Sequence, residues 1–321
     1  MSFLIPTHEQ ARAGLRAMKT VLTAAGPLTP IRREALGAIQ QHLLRTDHDL
    51  DALGPITPEE LAAAIDDPAL RTQLIGGMVT LTLTCDTVAD EEQQAIERFA
   101  AAFAVESVTL AQLRKFQTER LMALRFDVVR RSLAGPALGQ LYEDQGLLGV
   151  VKNLGSFAGL WENRAVAERY RALAHYPEGS LGKELWRFYE ANAFKFPGEK
   201  HGAPESLLSH DLSHILGGYG TDYRSEGLVL AFQAGYKRQD PFSVLVFLLL
   251  NGQHGLRLTA FADPARGFYN DKPGAIDEVV RAFARGARVT VDFTDHWDFW
   301  AVMDRQVEDL RREYGIEPAA A

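Results

Sequence analysis

His210 and His214 stand four residues apart in Ser209-His-Asp-Leu-Ser-His214, with Asp211 between them and Glu226 following after eleven intervening residues. Side chains at i and i+4 share one face of a helix, so two imidazoles at this spacing present ring nitrogens to one point. A nearby carboxylate can then complete a site for a divalent cation. A cation held there would polarise a substrate carboxylate or hydroxyl and stabilise charge as a bond breaks. Asp211 sits about 100° around the helix from His210. It is either a fourth ligand or a supporting group that orients a histidine or holds a metal-bound water. Imidazoles and carboxylates suit zinc first, with iron and manganese as alternatives.

The elements that must position these groups can be read from the flanking residues. Pro204 suits a first helical turn, and Leu207, Leu208, Leu212, Ile215 and Leu216 recur at helical spacing. Glu226 cannot join the histidines from the same helix, because twelve residues of helix would place it roughly 18 Å along the axis. Gly217, Gly218 and Gly220 end that helix and let the chain turn. Ser225 is then the expected N-cap of a returning helix from about Glu226 to Tyr236.

This segment resembles the signature of the coenzyme Q biosynthesis protein 4 family, which carries His-Asp-x-x-His, eleven residues, then Glu. The likeness extends to Pro177-Glu-Gly-Ser-Leu-Gly182, to Gly218-Tyr-Gly-Thr-Asp222, and to the ending from Phe293 through Trp297 to Leu310-Arg-Arg-Glu-Tyr-Gly-Ile316, covering about residues 120 to 316. Ser225 departs from the glycine that the family places before its glutamate. The resemblance implies a mostly helical domain with a divalent metal, an apolar groove for an isoprenoid tail and a role in ubiquinone assembly. Its implied chemistry is oxidative decarboxylation of the head group of a polyprenylated aromatic acid. Carried over, His210, Asp211, His214 and Glu226 are the metal residues, and His210, Asp211 and His214 the catalytic ones. The apolar run Phe242–Leu250 reads as a buried core helix or, with the preceding Phe232, as a wall of the lipid groove, and the second reading gives Phe232, Phe242, Leu249 and His254 as substrate contacts. Two other readings stand beside this one. A non-catalytic scaffold would hold the isoprenoid lipid and organise biosynthetic enzymes. A hydrolase is suggested because His-Asp-x-x-His is one methylene short of the zinc peptidase His-Glu-x-x-His.

The first hundred residues differ in character. Residues 21 to 39 and 81 to 99 form a weak repeat at an offset of sixty: an apolar helix end, a short turn, and a new helix capped by Thr29 or Asp90. The pattern resembles the tellurite-resistance TerB-like helical domain, although several acidic turn residues of that family are missing. Two closely packed all-α domains are therefore expected, a TerB-like bundle over 1–118 and a metal- and lipid-binding domain over 119–321. A helix from Leu110 through Arg131 is expected to bridge them.

A net charge of −8 argues against nucleic acid as a partner. The lone Cys85 forbids an internal disulfide and a multi-cysteine zinc site. The start of the chain shows neither a signal nor a transit pattern, so the expected location is cytoplasmic, with peripheral contact to the inner membrane as an alternative. Phe242–Leu250 is only about half the roughly 20 residues that a membrane span needs. The expected partners are a polyprenylated lipid and either biosynthetic enzymes or a second copy of the chain.

Overall fold

The computed structural model describes residues 3–132, 134–259, 262–269 and 271–318. Among them there is no strand, only two isolated bridges, so the fold is all-α. In chain order the helices are α1 (His8–Leu22), α2 (Pro30–Ala38), α3 (Pro58–Ala64), α4 (Pro68–Thr82), α5 (Asp90–Phe103), α6 (Val108–Gln117) and α7 (Leu121–Arg131). They continue as α8 (Ala134–Phe157), α9 (Arg164–Arg171), α10 (Leu181–Ala191), α11 (Leu208–Gly217), α12 (Tyr223–Tyr236), α13 (Pro241–Gly252), α14 (Ala275–Gly286) and α15 (Val307–Tyr314). No helix of the described residues is long and apolar enough to cross a membrane.

Local sequence explains the starts. Thr7 and Thr57 accept from the backbone of Gln10 and Glu60, whose side chains reach back to the cap amides, and Asp67 caps α4 ahead of Pro68. Thr29 occupies the cap of α2 without a side-chain bond. Asp90 is already inside α5, and Glu92 accepts from the Ala89 amide instead. The expected continuous helix from Leu110 to Arg131 is broken at Glu119, whose φ of 54° is left-handed.

The chain divides into two compact units, Met1–Ser132 with Leu230–Ala287, and Leu133–Val229 with Arg288–Ala321. The division thus falls elsewhere than at residue 118, and the first unit is discontinuous: α13 and α14 pack on the N-terminal helices. Local patterning marks where helices begin and end, but not which neighbour their apolar faces find.

In the first unit, α1 packs on α4 and α5, α14 on α2, and α13 on α4, α6 and α7. The end of α12 meets α14 backbone to backbone. A Cβ on Gly286 would lie 1.9 Å from the Phe232 carbonyl oxygen, and one on Gly235 2.2 Å from that of Phe283. The hairpins proposed as a repeat touch through Thr29 Oγ1 and Cys85 Sγ, 3.8 Å apart, and through a buried ion pair of Arg32 with Glu92 at 2.5 Å. Burial holds the Glu92 carboxyl above its ordinary value, against the pull of Arg32. Glu34 accepts from the Asp277 amide at the start of α14, so it anchors a helix. Past α2 the chain widens into a π-helical segment, Ile39–Leu44, that ends at left-handed Arg45.

In the second unit, α11 is held at both flanks. α10 packs beside it, and Arg311 of α15 donates to the carbonyls of Ile215 and Leu216 in its last turn. The segment at 177–182 is tied to the chain after 302: Leu181 and Gly182 donate to the carbonyls of Arg305 and Met303, and Val307 donates to that of Gly179.

Candidate metal centre

Gly218 ends α11 in the left-handed conformation at φ 72°, which a residue with a Cβ adopts only at a cost. The returning helix starts earlier than expected. Asp222, not Ser225, accepts from the Arg224 and Ser225 amides, and Ser225 lies inside the first turn, where its hydroxyl donates to Asp222 at 2.6 Å. Glu226 therefore sits in the first turn of α12, across the glycine turn from the histidines.

His210, His214 and Glu226 offer ligand atoms that all lie within 4.8 Å of one another. His210 Nε2 is 3.1 Å from Glu226 Oε2 and 3.2 Å from His214 Nε2, and His214 Nε2 is 3.4 Å from Glu226 Oε1. His214 Nδ1 lies 2.8 Å from the Gly220 carbonyl oxygen, which can only accept, so Nδ1 carries a proton and Nε2 is the ring nitrogen turned toward His210 and Glu226. A backbone carbonyl at the far nitrogen is also how metal-ligating histidines are oriented. Burial by itself would raise the Glu226 carboxyl, but hydrogen bonds and charge from His210 and His214 bring it down to about 2. The carboxylate is thus ionised, and the donor set fits a divalent cation. His214 has 1% of its side chain exposed, against 26% for His210 and 40% for Glu226, so the cluster opens on the side of the latter two.

Asp211 does not join this convergence. Tyr189, buried on α10, donates its hydroxyl to Asp211 Oδ2 at 2.5 Å. Burial raises the Asp211 carboxyl, with His210, Tyr189 and His214 pulling the other way.

His210 also forms part of the wall of a 360 Å³ cavity, with Arg169, Glu205, Trp297, Phe299 and Trp300 among its other residues. Glu205 Oε1 accepts from the Tyr170 hydroxyl at 2.6 Å and from Trp300 Nε1 at 2.8 Å, which fixes the indole. The Arg169 guanidinium stacks 3.4 Å over the Trp300 ring. Sequence reasoning passed over Arg169, Glu205 and Trp300. The available signal was the four aromatic residues packed into Phe293–Trp300.

Phe232, Phe242, Leu249 and His254, expected to contact substrate, belong to the first unit and are not part of this cavity wall. Phe232 is fully buried against Tyr236 and Arg285, and Phe242 lies over Gly76. His254 Nε2 donates to the Leu83 carbonyl at 3.1 Å, and its ring meets Phe116 edge-on. Burial lowers the His254 imidazole from its usual range.

No protein-family model matches the chain, and no curated protein matches it. Among solved structures, it is similar to a crystal structure named "Putative ubiquinone biosynthesis protein" from Nostoc punctiforme. Identity is 19%, coverage is 64% of this chain and 92% of the other, and the TM-score is 0.35. Superposition at that level transfers neither the neighbour's architecture nor its role to this protein.

Proposed function

We propose that the second unit is a metal-dependent enzyme domain in which His210, His214 and Glu226 hold a divalent cation, zinc first, beside a cavity for an aromatic acid head group. One observation carries this reading: three basic ligand atoms converge on one point, with the His214 proton fixed on the far nitrogen, and His210 belongs also to an aromatic-walled cavity. A cation there would supply electrostatic stabilisation to a substrate oxygen. The protein's own residues do the rest. Trp297 and Phe299 give the cavity aromatic surface for a planar ring, Trp300 carries the Arg169 guanidinium that would meet an anionic substituent, and Tyr189 with Asp211 steadies the helix that carries both histidines. The polyprenyl tail and the oxidative loss of the ring carboxyl, in which the carboxyl leaves as carbon dioxide, a hydroxyl takes its place and dioxygen is the oxidant, are proposed from the resemblance of the motifs at 177–182, 210–226 and 293–316.

The test is release of labelled carbon dioxide from a carboxyl-labelled prenylated hydroxybenzoate, in air, by protein loaded with zinc, iron or manganese. Turnover should vanish in His214→Ala, and Arg169→Leu should raise KM at least about tenfold, in line with losing one charge-assisted contact. Turnover that persists in metal-free protein would sink the reading. Tight binding of the same compound with no product under any metal favours the scaffold alternative.

A further inference from the structure

We propose that the first unit contains a separate binding site for an uncharged hydrocarbon chain, in a cavity of about 120 Å³ bounded by α1, α2, the π-helical segment, α4, α13 and α14. Its lining is almost wholly aliphatic and aromatic, with Leu74, Leu248 and Phe283 among its buried members.

Four polar side chains reach the lining, and each has a backbone partner; Gln10, partly exposed, accepts from the Thr7 amide at 3.0 Å. The Gln73 side chain accepts from the Leu4 amide and donates to the Leu4 carbonyl, both at 2.8 Å. The Thr80 hydroxyl donates to the carbonyls of Gly76 and Gly77, and that of Thr84 donates to the Leu81 carbonyl. A water needs two to four polar partners, and each water takes roughly 30 Å³ of the liquid, so the space is large enough for several waters but chemically wrong for them. The same argument excludes a polar or charged ligand.

The backbone is shaped so that side chains do not close the gap. Gly14 and Gly77 leave it open where α1 faces α4, and a Cβ on Gly77 would already press on the Met18 methyl at 3.2 Å. The chain beside it is wound as a π-helix, a form that is rare and concentrated at functional sites, and Ile39, Leu43 and Leu44 of that segment all line the space. Phe3, Pro6, Leu43 and Leu44 are partly exposed lining residues, whereas Ile65, Leu74, Leu248 and Phe283 are buried. The partly exposed residues form its rim toward solvent, with Phe3 edge-on to Phe283 at 5.5 Å, and the buried ones form its inner wall. The occupant that fits is a chain terminus that inserts tail first and leaves any polar head outside.

The experiment compares 1-decanol with 1,10-decanediol on the full chain, following the 13C-labelled terminal carbon by NMR. The decanol methyl should show a saturable upfield-shifted signal from the rings of Phe242 and Phe283. The diol, whose far hydroxyl finds no partner inside, should bind at least about tenfold more weakly, as leaving one hydroxyl unpaired predicts. Ala35→Leu and Ala11→Leu fill the cavity from two different helices, α2 and α1, and each should weaken decanol binding by the same factor in protein whose thermal unfolding remains cooperative. His214→Ala should bind decanol as the parent does, because the proposal does not depend on the metal centre. Absence of saturable decanol binding, equal binding of the diol, or parent-like binding in both filled variants would each overturn the site; if neither filled variant folds, the diol comparison decides.

Discussion

The Nδ1–H of His214 points at the Gly220 carbonyl oxygen, 2.8 Å away, so the turn that separates the histidines from Glu226 also sets which nitrogen of His214 faces them. Ligand orientation and loop geometry are therefore one feature, and the chemistry of the cluster follows from it.

Removing a ligand should cost more metal affinity than removing a supporting hydrogen bond. His214→Ala and Glu226→Gln are each expected to weaken zinc binding beyond the roughly 10–100-fold typical of supporting groups. Competition against a chromophoric chelator measures this. Unchanged affinity in both variants would remove the metal centre.

Tyr189→Phe deletes the donor to Asp211 and leaves the carboxyl without that partner. The expected result is about 1–3 kcal/mol of lost stability in denaturant titrations, together with a 10–100-fold loss of zinc affinity. A stability loss with intact zinc affinity would show that Asp211 serves packing alone.

Arg32→Met strands the Glu92 carboxylate in the core of the first unit. Breaking a buried pair from one side costs about 3–5 kcal/mol, whereas the double variant Arg32→Met/Glu92→Leu should recover most of it. Urea unfolding of the three proteins checks the expected non-additivity.

His254 gives a pH signature. Its folded-state pKa lies below the ordinary value of about 6.5, so the unfolded chain binds the proton first as pH falls. Its contribution is present at neutral pH and is lost as pH drops below about 6.5 toward the folded value. His254→Gln should flatten the decline of stability between pH 7 and 5, by up to roughly 1.4 kcal/mol per pH unit. Parallel curves for the parent and the variant would contradict this.

Much of the site was legible from residue types alone. The i, i+4 histidines and the glycines fixed the convergence, because a helix and a left-handed stop are local properties. Assigning the cap to Ser225 rather than Asp222 was an error between two good capping residues three apart, and only the final turn geometry separates them. The substrate wall was not legible in the same way. Phe242 and Leu249 follow the metal motif in sequence, yet α13 packs against helices about 120 to 170 residues earlier, so these two side chains line the apolar cavity of the first unit and not the cavity beside His210. Arg169 and Trp300 meet across more than a hundred residues, a pairing that no periodicity announces.

The discontinuous first unit also sets an order of events during synthesis. Its opening helices leave the ribosome well before α13 and α14, with 97 residues of the second unit (133 to 229) in between. At ordinary elongation rates that interval lasts roughly 5–20 s. Throughout it, the apolar faces of α2 and α4 wait without their final cover, so nascent chains stalled before residue 287 should be held by chaperones, and a fragment cut near residue 118 should aggregate.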